Sequence, residues 1–485
     1  MKNEVKTRGK IYTPNYLVKN ICDMGGYVTG KINKKHVIDN SCGDGAFLCE
    51  IVERYINDYL VFSDDKETLK NEIEKFIHGI ELNDIELEKC KENMQSICSK
   101  YGIEDVKFDV VCADTIQVLP KYAGKMDYVL GNPPYVRVHN FGESYDKFKD
   151  FEFGQGGMAD LYLVFYEVGI KMLNKNGVLS YIAPSSFFTS LAGKNFRNWI
   201  LRTNKVVSIC DLKHFQPFNA TTYTAIVTIS NNKTDDIINY YEYDSENLRP
   251  RKISELMQSD YNICDNFYFA TKSILKRLRN ILEFIPFGST VSVKNGFATL
   301  ADKVFIGNFD FDSKYIIKVL KVSTGKWYQC IFPYNQHGKL ITLKELESDN
   351  ELYRYMLSQK ENLVRRDTEP GSDWYGFGRT QAINDVKYNR IGINSLFKDI
   401  NDVKVSELPA GTGCYSGLYI MSEFSFDEIC KALKNKEFVE YVSMLGKYKS
   451  GGYYTCSSKD IKQYLNHYFY SKKDYFDSDK NHSLE

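Results

Sequence analysis

No window of this 485-residue sequence approaches the ~20 apolar residues of a membrane span. Even Leu161–Leu173 contains Glu167 and Lys171. The amino-terminal MKNEVKTRGKIYTP is basic but has no apolar core, so a signal peptide is not expected. The 12 cysteines include no pair at CxxC spacing and the 7 histidines form no HExxH, which argues against a zinc site or any other metal. Cysteines scattered through a chain of this length suit reduced thiols. Charge of one sign is also missing: Lys+Arg and Asp+Glu both number 63. That balance neither supports nor excludes nucleic acid, because a cleft can be basic on a neutral molecule. These absences lead us to expect a cytoplasmic protein with no membrane partner.

Aromatic side chains are abundant, at 3 Trp, 36 Tyr and 30 Phe, or 14%. Such rings fill cores and also stack on flat ligands. The length predicts two or three domains. Up to about Ser230, short apolar runs alternate with helical stretches. Val37–Asp39, Phe76–Ile80, Val106–Val111, Met126–Leu130, Val178–Ala183, Val206–Leu212 and Thr224–Ser230 read as strands. Ala46–Ile56 and Leu161–Leu173 read as helices, and Asn83 can cap another running to about Lys100. This alternation predicts an α/β fold with a doubly wound, mostly parallel sheet, whose ligands lie at the carboxyl ends of the strands. Past the polar turn Asn231–Asp236 the pattern becomes irregular, apart from the amphipathic helix Ser273–Phe284, and Pro286 and Gly288 mark a boundary. We therefore expect a catalytic domain over 1–240 and a second, mixed α+β domain over 245–485.

Polar signals gather at the expected strand ends. Asp39-Asn-Ser-Cys-Gly-Asp-Gly45 links a strand to a helix, and Gly43 and Gly45 allow close approach of backbone to a ligand. With neither a full GxGxxG nor a Walker lysine, the loop suits a nucleoside without phosphates better than a phosphate group; a plain tight turn is the bland alternative. Glu81 ends the second strand, where nucleoside-binding sheets place a carboxylate for the ribose hydroxyls. Its separation from Gly45, 81 − 45 = 36 residues, exceeds the usual ~20, and an insertion around Asn57–Lys75 accounts for the excess; a solvated strand-end acid is the alternative. Asp114, after the third strand, can take an adenine amino group. Phe165 can stack on that ring, although a buried Phe on a helix is ordinarily core.

Asn132-Pro-Pro-Tyr135 follows directly on the fourth strand. The two prolines hold the backbone extended and remove competing N–H donors. The Pro133 carbonyl and the Asn132 side-chain oxygen can then accept two hydrogen bonds from one amino group, and Tyr135 offers a face for stacking. An amine on a heteroaromatic ring is a poor nucleophile because its lone pair is delocalised. Two preorganised acceptors favour a pyramidal nitrogen whose lone pair is available to an electrophile.

In order and content, Ile11-Tyr-Thr-Pro14, DNSCGDGAF, Glu81, Asp114 and NPPY resemble the gamma-class N6-adenine DNA methyltransferases of restriction–modification systems, over residues 8–230. A looser likeness to the start and end of that family's target-recognition region covers Val291–Ile306 and Lys449–Leu465. The resemblance implies S-adenosylmethionine as cofactor, held by Thr13, Asp39, Ser41, Cys42, Gly43 and Gly45 around its methionine part, by Glu81 at the ribose and by Asp114 and Phe165 at the adenine. It implies that Asn132, Pro133 and Tyr135 hold the flipped target base, with Phe218 as the candidate for a second aromatic wall. Asn40 stands where family members usually carry Pro, which is expected to loosen the turn without removing the site.

NPPY also occurs in enzymes that methylate protein glutamine or RNA guanine, but those tend to carry their extra domain before the cofactor loop. Here only 36 residues precede Val37 and some 240 follow the sheet, an arrangement that favours DNA adenine. A DNA-specificity protein with a dead catalytic domain is a further reading, against which the intact NPPY, glycine loop and Glu81 argue. Residues from about 245 onward are expected to read double-stranded DNA, with Arg365, Arg366, Arg379, Lys447 and Lys449 as candidate contacts. A single recognition domain predicts a monomer. A fused endonuclease is a third reading, but no nuclease signature stands outside the methylase and recognition regions, so any partner restriction endonuclease is expected to be separately encoded.

Overall fold

The computed structural model describes residues 12–136, 148–155, 160–218, 222–287, 290–368 and 373–471. The chain divides at Arg277/Leu278 into two compact units. In the first, the elements run α1 (Asn15–Met24), β1 (Val37–Asp39), α2 (Ala46–Tyr59), α3 (Lys66–Phe76), β2 (Ile77–Glu81), α4 (Asp84–Lys100), β3 (Asp109–Cys112), α5 (Thr115–Tyr122) and β4 (Met126–Gly131). They continue α6 (Leu161–Met172), β5 (Leu173–Pro184), α7 (Lys194–Thr203), β6 (Val206–Asp211), β7 (Thr224–Ser230), β8 (Ile238–Asp244) and β9 (Arg249–Leu256). The helix α3, capped by the Asp65 carboxylate on the Glu67 and Thr68 amides at 3.1 and 3.2 Å, lies within the long path from Gly45 to Glu81.

The strands form one nine-stranded sheet in the order β3-β2-β1-β4-β5-β7-β6-β8-β9. Strands β3 to β5 are parallel, and β7 runs antiparallel between β5 and β6. This is the doubly wound, mostly parallel sheet expected from the alternation of strands and helices. Both faces are covered, so successive strand residues serve different cores. Val37, Leu130 and Ile182 join α1, α2 and α4 on one face, while Ile38, Val129 and Tyr181 join α6 and α7 on the other.

The expected domain boundary at 240–245 needs correction. It falls within the sheet, because β8 pairs with β6, and β9 with β8, beyond the point where the apolar pattern breaks. The second unit holds two four-stranded sheets and the helix Ser458–Tyr470. Its core is rich in rings, among them Phe297, Phe305, Phe332 and Phe377.

The turn after β1 also departs from expectation, since Asn40 does not loosen it. Asn40 is fully buried. Its side-chain oxygen accepts from the Tyr181 hydroxyl of β5 at 2.8 Å, and its carbonyl accepts from the Thr115 hydroxyl at the start of α5 at 2.7 Å. Asn40 thereby ties together three segments at the carboxyl edge of the sheet, β5 through its carboxamide and α5 through its backbone carbonyl. Replacing Tyr181 by Phe leaves that oxygen buried without its donor, which costs about 1–3 kcal/mol. Urea denaturation of Tyr181→Phe should show a lowered midpoint with an unchanged slope; an unchanged midpoint would mean the bond contributes nothing.

Candidate active site

The loops after β1, β2 and β4 emerge side by side because these strands are parallel neighbours. The first begins at Asp39, which is buried and accepts from the Ser41 amide at 3.0 Å. The end of β4 passes close to this carboxylate: a Cβ on Gly131 would lie 2.7 Å from Asp39 Oδ1, so glycine is required there. Loss of hydration raises the Asp39 carboxyl to about 8; the Ser41 amide opposes the rise and the charge of Glu81 adds to it.

The loop then turns through two left-handed glycines, Gly43 with φ +55° and Gly45 with φ +92°. At Gly45, where α2 begins, a side chain would strike Cys90 Sγ at 2.7 Å, whereas at Gly43 a Cβ would meet nothing within 4 Å. The glycine loop therefore has its back against α4 and open space at Gly43. Cys42 is buried, its amide donating to the Ile80 carbonyl of β2 at 3.0 Å. The Gly43 amide donates to Glu81 Oε2 and the Asn83 amide to Oε1, each at 2.9 Å. Each carboxylate oxygen keeps a lone pair for a further donor. Asp114 caps α5 through the Ile116 amide at 3.0 Å and is partly exposed. Phe165 is buried on α6 in the core cluster that contains Ile80 of β2 and packs against Ile116.

Asn132 leaves β4 into this same space. The Ser41 hydroxyl donates to its carbonyl at 3.3 Å, and its side-chain Nδ2 donates to the Thr13 hydroxyl at 3.1 Å. Its Oδ1 is buried and has no hydrogen-bond partner among the described residues. An acceptor withdrawn from water without a donor is costly unless something else supplies the donor. Pro133 is buried beside it. The Tyr135 hydroxyl donates to the Ile182 carbonyl of β5 at 3.2 Å, and burial raises its pKa well above the phenol value. The Tyr135 ring meets Phe218 edge to face, with centroids 6.4 Å apart at 82°. The structure thus brings Thr13, the Asp39–Gly45 loop, Glu81 and Asn132–Tyr135 to one edge of the sheet and sets Phe218 beside Tyr135. The bonds made by Asn40 and Thr13 had no local signal in the sequence.

In the second unit, two of the five candidate cations are engaged within the fold. Arg366 donates to the carbonyls of Leu363, Thr299, Trp374 and Gly376 at 2.7–3.0 Å and lies over the Phe305 ring, so its guanidinium holds the domain together. Lys447 binds Asp460 at 2.6 Å, the same carboxylate that takes the Ser457 hydroxyl at the start of the helix Ser458–Tyr470. Arg365 is exposed with a loose Glu361 contact at 3.9 Å, Lys449 is exposed, and Arg379 reaches the Asp367 carbonyl at 2.6 Å while remaining partly exposed. No helix among the described residues is long and apolar enough to cross a membrane.

Residues 48–218 match the family model "Eco57I restriction-modification methylase". The chain is 26% identical over 429 residues to Type II methyltransferase M.BstVI of Geobacillus stearothermophilus, an overlap of 77% of this chain and 75% of that protein. It is 23% identical over 556 residues to Type II restriction enzyme and methyltransferase RM.Eco57I of Escherichia coli, covering 92% of this chain and 55% of that one. Of that second relative the chain spans little more than half. Among solved structures, the Type IIL restriction-modification enzyme MmeI in complex with DNA superposes with a TM-score of 0.57 at 14% identity, covering 84% of this chain and 59% of that one, a likeness of fold. The resemblance to restriction–modification methyltransferases read from the motifs is borne out.

The buried Asp39 carboxyl makes stability depend on pH. Unfolded, an aspartate titrates near ~3.9; folded, Asp39 titrates at about 8. Between those values the folded state keeps a proton that the unfolded state has released, so stability falls as pH rises through this window. Asp39→Asn keeps the acceptor for Ser41 and removes the titration. The stability difference between variant and parent, from denaturation at pH 5 to 8.5, should therefore grow in the variant's favour with pH. A difference that does not vary with pH would show that Asp39 is ionised throughout.

Proposed function

We propose that this chain, whose residues 48–218 match the Eco57I restriction-modification methylase family, is a site-specific DNA methyltransferase that transfers a methyl group from S-adenosylmethionine to N6 of an adenine turned out of the duplex, as the modification activity of a restriction–modification system. The observation that carries this reading is the buried, unpartnered Oδ1 of Asn132 beside the Tyr135–Phe218 pair.

The residues around the glycine loop fit the cofactor. Space is open at Gly43 and Glu81 retains lone pairs for two ribose hydroxyls; Asp114 and Phe165 are the residues proposed for the adenine ring. S-adenosylmethionine supplies, when bound, an electrophilic methyl group on a cationic sulfur; the Glu81 carboxylate favours a cation nearby, and Asp39 joins it once ionised.

The chain's own residues prepare the nucleophile. A base inside the stack is inaccessible, and turning it out costs a few kcal/mol. Stacking on Tyr135 offsets part of that, by analogy with the ~1–3 kcal/mol of aromatic–base contacts. The target amine donates one N–H to Asn132 Oδ1 and the other to the Pro133 carbonyl. Both acceptors are fixed in advance, so the amine is held pyramidal with no reorganisation at the moment of transfer. No base is needed before attack, because the nitrogen becomes acidic as the new bond forms. Residues 278–471 choose the DNA sequence, with the exposed Arg365 and Lys449 and the partly exposed Arg379, which also bonds Asp367, as the cations offered to it, and the enzyme works as a monomer alongside a separately encoded endonuclease.

Tritiated-methyl transfer assays on DNA, RNA and protein substrates, with mapping of methylated bases, test the reading; incorporation into RNA or protein alone would refute it. Asn132→Ala should abolish transfer while leaving S-adenosylmethionine affinity within a few fold, since its acceptor acts on the target amine. Glu81→Ala should weaken binding of the cofactor and of its demethylated product alike by ~1.5–3 kcal/mol, the worth of hydrogen bonds to a charged group. Calorimetry showing unchanged affinity would move the ribose to another acid.

A further inference from the structure

The carboxamide of Asn132 can lie in two orientations related by half a turn. In one it presents Oδ1 to the pocket; in the other it presents Nδ2. Only the first can receive an amino group, because the second sets donor against donor. On the other side of the carboxamide the structure places the Thr13 hydroxyl, which accepts from Nδ2 at 3.1 Å from 119 residues away in sequence; a hydroxyl could also donate to a turned carboxamide, but that arrangement would leave Nδ2 in the pocket without an acceptor.

We propose that Thr13 is a positioning residue for methyl transfer: its hydroxyl oxygen takes the Nδ2 of Asn132 and thereby aims Oδ1 at the target amine. This rests on the reading of Asn132 as the amine acceptor and goes beyond a contact of Thr13 with the cofactor. Three observations carry it. Nδ2 is satisfied and Oδ1 is buried without a partner among the described residues, which is the arrangement a donor substrate requires. Turning the carboxamide over would leave a buried N–H facing the incoming amine, and a buried donor without an acceptor is unfavourable. The hydroxyl is itself held firmly: Thr13 is buried, and the following Pro14 restricts it to extended backbone and starts α1 by accepting from the Leu17 and Val18 amides at 2.9 and 3.2 Å. Ser41 completes the clamp by fixing the Asn132 carbonyl, so only the rotation of the carboxamide is left for Thr13 to set.

The test uses Thr13→Val, which keeps the shape and loses the acceptor, and Thr13→Ser, which restores the acceptor. With the full-length chain, single-turnover transfer to DNA at saturating S-adenosylmethionine is compared with cofactor affinity by calorimetry, which also reports whether each variant is folded. Thr13→Val should slow transfer by on the order of 10- to 100-fold, the effect of one lost orienting hydrogen bond on a reacting geometry, with cofactor affinity changed by less than about 3-fold. Thr13→Ser should recover most of the rate. Weakened cofactor binding with an unchanged saturating rate in Thr13→Val would assign the hydroxyl to the cofactor and overturn the proposal. A Thr13→Ser variant as slow as Thr13→Val would overturn it too, by showing that the methyl group and not the hydroxyl matters. If Asn132→Ala still transferred methyl groups, the amine-acceptor reading itself would fall and this proposal with it, an outcome distinct from the other two.

Discussion

The turn after β1 hangs on the buried carboxamide of Asn40. The strand preceding it is three residues long and supplies little ladder of its own. The bonds from Tyr181 and Thr115, together with that from the Cys42 amide to Ile80, connect this turn to β5, α5 and β2. Everything that follows takes its position from there. Ser41 can reach the Asn132 carbonyl, and Gly43 can reach Glu81, because the backbone between them is fixed at both ends. The site is thus a network of acceptors whose geometry is set before any ligand arrives, which is the condition under which fixed dipoles act most strongly.

Two buried or half-buried acids at one strand edge set the electrical character of this site. Asp39 has lost its water and gains only one amide in return, while Glu81 has two amides and partial exposure. Burial keeps the Asp39 carboxyl protonated well above the usual carboxylate range, while Glu81 already accepts from two amides and keeps a lone pair on each oxygen. A cation entering the loop would favour ionisation of Asp39, and binding would then release a proton. The cost of burying Asp39 in the free protein becomes a bias toward a positively charged ligand.

Much of this arrangement was legible in the sequence, for physical reasons that also mark where legibility ends. Strands buried on both faces read as apolar runs, and Val37–Asp39 and Thr224–Ser230 are found at the bounds their residues suggested. Motifs at strand ends were legible because glycine, proline and acid each restrict the backbone locally. The last two strands of the sheet, β8 and the edge strand β9, were missed. INYYEYD and RPRKISEL are largely half-buried or exposed and mix charge with rings, so they carry neither an apolar run nor a clean alternation. The partners of Asn40, Asn132 and Arg366 were not legible either. They lie up to 141 residues away, and nothing local distinguishes an asparagine that anchors a turn from one that faces water.

Arg366 bears on how a chain without net charge could engage DNA. A polyanion attracts cations indiscriminately, and bulk positive charge gives affinity without sequence information. Here at least two of the five cations singled out from the sequence face inward, onto carbonyls or a helix-start carboxylate. An arginine bound to four backbone carbonyls stiffens the loops that carry Thr299, Trp374 and Gly376 and adds little to the field outside. Rigidity of this kind suits a surface that must discriminate among sequences, because a stiff loop cannot adjust to the wrong one. On the proposed reading, the second unit has its positive charge divided between building the loops and touching the phosphates. The equal totals of acid and base in the sequence then reflect a binder that works through a few placed side chains and not through a general attraction to nucleic acid.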